Sequence, residues 1–266
     1  MSLKQKILSE AKFAQSIKHA YQLFLQNPET IVDQGFQFIM HYYDPALLKD
    51  LSDQPVKRRV DPLLPPFESH MHVCDLTKDD AEHHVIINKF MQCQGHIVLS
   101  SIDKNAEQGS DLTRSDCSAF TQIINAFENE GIAYYNAGLE SGCSQLHKHI
   151  QFTPIKEAPI FDAMVAKEKL PIVYHSEKLN KITPDEILSA YKDLLKQAEK
   201  DPKHKSYNFI VAHNHAVYVP RSKAQHSCGI CINSFAICGH YSLWQWSDPI
   251  IKNAPLSILK DVCFPQ

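Results

Sequence analysis

Residues 3–27 contain neither proline nor glycine, and Ile7, Ala11, Ala14, Ile17, Tyr21 and Phe24 recur at intervals of three and four. That spacing lays them along one stripe of a helix, so the pattern predicts an amphipathic helix over the segment. The prolines of Asp61-Pro62-Leu63-Leu64-Pro65-Pro66-Phe67 then favour an extended, non-helical crossing. His84–Phe90 and His96–Ser101 are apolar runs joined by a short connection holding Gly95, which predicts an antiparallel pair of strands. Ser115 to Gly131 reads as a helix, with Ser115 or Asp116 near its N-cap and Gly131 as its stop. Two short strands follow at Ile132–Asn136 and His147–Thr153. Thr183-Pro184-Asp185-Glu186 has the form of a capping box and opens a helix predicted to run to Lys200. Tyr207–Val211 and Ala216–Val219 predict a hairpin, and Gly229–Ala236 a further strand. No repeat, low-complexity tract or linker interrupts the chain. The expectation is a single α+β domain spanning residues 1–266, with an antiparallel sheet flanked by helices.

Composition narrows the class. Of the 266 residues 44% are hydrophobic and 21% charged, an ordinary globular balance. A net charge of −3 argues against a sequence-independent nucleic-acid binder, which needs a broad basic surface. The eight scattered cysteines, with no secretory signal ahead of them, read as reduced thiols of a cytoplasmic protein. No apolar run is long enough for a membrane helix.

The chemistry concentrates in Asn136 to Pro154. If 147–153 is a strand, His147, His149 and Gln151 share one face while Lys148, Ile150 and Phe152 take the other. Just before it, Gly142-Cys143-Ser144-Gln145 offers small residues whose backbone N–H groups can converge on an anion, with side-chain donors from Ser144 and Gln145. An imidazole on a strand beside such a nest is a candidate nucleophile toward phosphorus. The plainer alternatives are a packed histidine pair and a surface turn. Asn88-Lys89, at the end of an apolar strand, is a second candidate for phosphate contact, with a solvated strand end as its plainer reading.

These residues carry a resemblance. Pro65-Pro66-Phe67-Glu68, Ile86-Ile87-Asn88-Lys89-Phe90, Asn136 through Gln151, Tyr207-Asn208-Phe209, Val219-Pro220-Arg221-Ser222 and Cys231-Ile232-Asn233-Ser234 match, in order, the diadenosine tetraphosphate phosphorylases (ATP adenylyltransferases) of the histidine-triad superfamily. Two positions depart from that pattern: Leu146 stands where a proline usually precedes His-x-His, and Cys143 where the turn usually has alanine or serine. The resemblance implies a histidine-triad-like fold in which His149 attacks an α-phosphorus to form an adenylyl-imidazole. The backbone carbonyl of His147 would accept the nucleophile's other N–H, and Gln151 would hydrogen-bond the reacting phosphate. Asn88, Lys89 and the Gly142, Cys143, Ser144, Gln145 turn would orient the polyphosphate, and Asn136, Asn233 and Ser234 match nucleotide-contacting positions. A glutamine at position 151 is neither acid nor base, whereas a triad hydrolase has a third histidine there to assist water. Phosphate needs no such help to attack, so the implied reaction is phosphorolysis of diadenosine tetraphosphate to ATP and ADP.

The partners implied are therefore a small nucleotide and inorganic phosphate, with no nucleic acid and no membrane. No tightly bound cofactor or protein metal site is expected, and a divalent cation would travel with the polyphosphate. A hydrolase or sugar-nucleotide phosphorylase of the same superfamily, or a nucleotide-binding module without catalysis, would share most of these residues. Other motifs are weaker. His226, Cys228, Cys231, Cys238 and His240 include a Cys-x-x-Cys, but the second pair is poorly spaced for zinc. His213-Asn214-His215 reads as a hairpin turn, and His70 and His72 as solvent-facing. No Walker-type loop occurs.

Overall fold

The computed structural model describes residues 1–47, 61–198 and 205–266. The chain begins with α1 (Leu3–Ser16), then β1 (Tyr21–Gln22), β2 (Glu29–Asp33), β3 (Phe36–Tyr42), β4 (His72–Leu76), β5 (His83–Ile87), β6 (Phe90–Met91) and β7 (Ile97–Ser101). The middle third holds α2 (Arg114–Ala126), β8 (Ile132–Ala137), β9 (His149–Thr153), α3 (Pro159–Val165), β10 (His175–Lys178) and α4 (Pro184–Ala198). β11 (Ser206–Ala212), β12 (His215–Arg221), α5 (Ser234–Ile237), β13 (His240–Leu243), α6 (Ile250–Asn253) and α7 (Pro255–Val262) complete it. Among the described residues no helix is long and apolar enough to cross a membrane.

Eight strands form a wholly antiparallel sheet in the order β10-β12-β11-β8-β9-β7-β5-β4. Strand alternation gives it two apolar faces. Ile150 and Phe152 of β9, Tyr135 of β8 and Phe209 of β11 point into one core with Ile7, Phe120, Ile123 and Leu194 of the helices α1, α2 and α4. Tyr134, Ile210 and Val217 point the other way, into a second core with Phe161, Phe235, Ile258 and the residues of a three-stranded sheet, β13-β3-β2. That second layer covers only part of its face. Over β4, β5 and β7 the same face is crossed by the proline-bearing strap 61–67, where Ser100 Oγ donates to the Leu63 carbonyl at 2.7 Å. The site lies where the strap and the second layer meet.

Several predicted elements change length or kind. The first helix stops at Ser16, because Lys18 takes a positive φ of 57° and the amides of His19 and Ala20 both close back on the Ala14 carbonyl. Tyr21 and Phe24 keep the helical spacing in sequence yet are buried by an extended segment: Tyr21 stacks on Phe90, and Phe24 on His41. The helix expected from Ser115 is capped two residues earlier by Thr113, in a reciprocal box with Asp116, and ends at Ala126 before a turn leads to Gly131. In the helix at 184 the Thr183 hydroxyl accepts from Glu186 N–H as predicted, but the Glu186 carboxylate reaches back to the amides of Asn180 and Lys181. Its predicted end at Lys200 lies outside the described residues. The first strand of the 84–101 pair ends at Ile87, with a separate short strand at Phe90–Met91. Gly229–Ala236 is not a strand. Asn233 accepts the Ala236 N–H and starts α5; ahead of it buried Ile230 and Ile232 alternate with exposed Gly229 and Cys231, a strand-like period in a segment that forms no strand. The 207–219 hairpin forms, and His213 and Asn214 are its two left-handed turn residues.

Candidate active site

β9 begins at His149, not at His147, which sits in an isolated bridge with Glu107. What holds the nucleophile candidate is the strand on one side and Gln108 on the other. The Gln108 carboxamide accepts the His149 N–H at 2.7 Å and donates to the carbonyls of Asn136 and His149 at 2.8 and 3.1 Å. Below the sheet Lys148 is buried against Asp116 at 2.7 Å, and Asp116 also meets His83 at 3.1 Å. The buried carboxylate is pushed up by desolvation, yet the His83 hydrogen bond and the Lys148 charge outweigh this and hold it at about 2. Lys148 thus nails down the residue between the two histidines.

The His149 ring is buried, with Nδ1 2.8 Å from the His147 carbonyl. A carbonyl only accepts, so Nδ1 carries the proton and Nε2 the lone pair. Burial lowers the His149 pKa to about 4, against the opposing effect of that hydrogen bond, so the ring is neutral at pH 7. The His147 ring in turn bonds the Ser101 carbonyl at 2.8 Å.

Gln151 is oriented by a residue that sequence reasoning passed over. His96 Nδ1 accepts the Gln92 N–H at 3.2 Å, so His96 Nε2 must carry the proton; it donates to Gln151 Oε1 at 3.1 Å. With its oxygen engaged there, the Gln151 amide presents its NH₂ as the group available to a phosphate. Asn88 Nδ2, 3.2 Å from the same His96 nitrogen, is a second donor rather than a partner, and Asn88 Oδ1 accepts the Phe90 N–H.

Gly142 takes φ 79°, ψ 23°, and a Cβ there would stand 2.4 Å from the Ile232 carbonyl oxygen. Only glycine lets the turn press so close to the 229–233 segment. Arg221, fully buried, fastens the two together: its guanidinium donates to the carbonyls of Ile232 and Ser141, to Asn208 Oδ1, and to the Val262 carbonyl of α7. Cys143 folds its thiol back onto the Gly138 carbonyl, and Leu146 is exposed, so both departures from the family pattern are accommodated without entering the site.

Two cavities open at this place. One, of about 750 Å³, is mostly apolar and is lined by Pro62, Leu63, Phe67, Ile86 and Val98 together with Lys89, Gln145 and His149. The other, of about 630 Å³, is lined by Gly142, Asn233, His96, Tyr43 and Trp244 among others. Asn88, Phe90, Ser144 and Gln151 line both and form a waist between them. The structure therefore brings His149, Gln151, Asn88, Lys89, Gly142, Ser144, Gln145 and Asn233 to the cavities. His147, Asn136, Cys143 and Ser234 line neither. Asn136 is a buried hub: its Oδ1 accepts from Asn208 Nδ2 and from the Ser234 N–H and hydroxyl. Lys89 is paired with Glu68 at 3.5 Å. The suggested Cys/His zinc set does not assemble, since His240 bonds His41 within the second core and Cys238 is buried there. Gln108 and His96 were missed as site residues, and Arg221 was quoted only within the matching segment Val219–Ser222, with no role given to it. Arg221, a charge closing the apolar run of β12, was the one with a readable signal.

The family profile for the Ap4A phosphorylase N-terminal domain matches residues 1–173, and that for the ATP adenylyltransferase C-terminal domain matches residues 168–265. Diadenosine 5′,5‴-P1,P4-tetraphosphate phosphorylase 2 of Saccharomyces cerevisiae is 25% identical over 284 aligned residues, covering 90% of this chain and 86% of that protein. Crystal structures of the yeast Ap4A phosphorylase superpose with a TM-score of 0.81: the AMP complex at 22% identity over 100% of this chain and 99% of the other, the Ap4A complex at 21% over 99% and 97%.

Proposed function

The chain belongs to the family of Ap4A phosphorylases and ATP adenylyltransferases, and from that membership we propose that it cleaves diadenosine tetraphosphate with inorganic phosphate through an adenylylated His149. The observation that carries the reading is His149 itself: neutral, its Nδ1–H committed to the His147 carbonyl, and lining a cavity that shares a polar waist with a second. A dinucleoside polyphosphate has that same form, two nucleosides on one phosphate tether.

In the first step His149 Nε2 forms a bond to the α-phosphorus in the apolar cavity, and the bond from that phosphorus to the oxygen bridging it to the adjacent phosphate breaks. ATP leaves as an anion that needs no proton from the enzyme. The imidazole gains positive charge, which the His147 carbonyl stabilises through Nδ1–H. In the second step an oxygen of inorganic phosphate attacks the same phosphorus, the P–N bond breaks, and ADP departs with His149 neutral again. Gln151 NH₂, Asn88 and the 142–145 turn supply neutral donors to the phosphates. Lys89 adds one positive charge to that set, and Glu68 shares it. A divalent cation carried in with the polyphosphate balances the rest.

The test is intact-mass analysis of the protein with diadenosine tetraphosphate in the absence of phosphate. It should show one adenylyl group per chain, discharged as ADP when phosphate is added, and neither adduct nor turnover in His149→Ala. A His149→Ala protein that still yields ATP and ADP would overturn the assignment. ATP and AMP without phosphate would mean a hydrolase.

A further inference from the structure

We propose that His72, Asp75 and His84 form a binding site for a divalent first-row transition ion of the zinc class, with two imidazoles and one carboxylate as protein ligands and at least one position left open. It is the one cluster of three such side chains among the described residues. Asp75 Oδ1 lies 2.8 Å from His72 Nε2 and 2.7 Å from His84 Nδ1, and the three atoms are all within 4.8 Å of one another.

The local backbone explains the convergence. His72 and Asp75 are three apart, so simple alternation would send them to opposite faces of β4. The register shifts between His72 and Cys74, a bulge that adds a residue. His72 then faces Ile86, and Asp75 faces His84; Ile86 and His84, two apart on β5, share a face. All three side chains therefore project together from two hydrogen-bonded strands. Ligands at about 2.0–2.2 Å from a tetrahedral ion stand roughly 3.3 Å from each other. An ion would need the carboxylate to back away by roughly half an ångström, a side-chain movement open to Asp75 because it is 44% exposed. Both imidazoles now donate to one oxygen. Each would give up that proton from its ligating nitrogen on binding the ion. Paired imidazoles favour zinc, cobalt, nickel or copper over magnesium.

The cluster faces the same side of the sheet as the nucleophile. His149, Ser100, His84 and Asp75 make one cross-strand row over β9, β7, β5 and β4. Phe67, a wall of the apolar cavity, stacks on His72 (5.0 Å, 14°) and meets His84 edge-on (4.9 Å, 73°). An ion at this point would hold both imidazoles, and with them the Phe67 wall. The site itself stands independently of the nucleotide chemistry.

The experiment is equilibrium dialysis of the chelator-stripped protein against Zn²⁺, followed by Co²⁺ titration read by visible absorption. The wild-type protein should retain one more equivalent of Zn²⁺ than His72→Ala and Asp75→Asn, and show Co²⁺ ligand-field bands that both variants lose, with Mg²⁺ failing to compete. Zn²⁺ should raise the thermal midpoint of the wild type only. Both substitutions are at partly exposed positions, and cooperative melting of the stripped variants checks that they fold. Equal stoichiometry and equal spectra in wild type and variants would overturn the proposal, as would a sulfur-to-cobalt charge-transfer band that accounts for all bound metal.

Discussion

The role proposed for Gln151, donating to phosphate, works only if its amide cannot turn over. His96 prevents this by occupying Gln151 Oε1, and His96 is itself fixed by a backbone N–H. It acts through another residue and so is a positioning residue. Replacing His96 with Ala should lower kcat by about 10- to 100-fold, the scale of a misplaced reacting group, while KM changes little. His96→Gln, which restores an N–H at similar reach, should recover most of the loss. An equal loss in KM, or no rescue, would show that His96 only fills space. At this scale the sequence was legible in part. The family resemblance singled out His149 from the two histidines, and the strand period put Gln151 on its face. His96 and Gln108 were not legible, because their roles depend on which strand and which loop become neighbours.

The elements carry the chemistry through their ends. β9 starts at His149, the proposed nucleophile, and the residue before it, Lys148, is anchored on the opposite face to Asp116 and to the Asp111 carbonyl. Lys148→Met should cost about 3–5 kcal/mol in a denaturant melt, because it leaves a buried carboxylate with half its compensation. A loss under about 1 kcal/mol would show the pair to be solvated. The strands β7, β8 and β11, buried on both faces, were read correctly as short apolar runs, and so was the body of α2. The pattern failed at 229–236, where buried Ile230 and Ile232 alternate with exposed Gly229 and Cys231 as in a strand before Asn233 starts α5, and where a helical spacing ran past the end of the helix, as at Tyr21 and Phe24. Periodicity records which residues are buried, and not which element buries them.

For the whole molecule the two cores have different chemistry. The second contains a stacked pair, His41 and His240, 2.9 Å apart between Phe24 and Phe235, and burial lowers their pKa values to about 3 and about 4. His96 and His149 are likewise held at about 4 by burial. All four bind protons more readily in the unfolded chain, near the ordinary 6.5, so stability is full above that pH and falls as pH drops toward 4. Each contributes a slope of up to about 1.4 kcal/mol per pH unit. Thermal midpoints measured from pH 7.5 to 4.5 should fall below about 6.5, and His41→Phe should flatten the decline. A midpoint independent of pH in this range would mean these rings are hydrated. The α+β architecture and antiparallel sheet were legible from the chain. The three-stranded sheet was not, since β3 and β13 pair across most of the sequence.

The unequal cavities on either side of the Asn88–Gln151 waist bear on a question of symmetry. Diadenosine tetraphosphate reads the same from both ends, so it enters in either orientation and gives the same products. A mixed adenosine–guanosine tetraphosphate loses that degeneracy. Its cleavage should partition between ATP with GDP and GTP with ADP, and the ratio measures directly how differently the two cavities weigh a purine. A ratio near one would mean that the channel ignores the base and recognises only the tether.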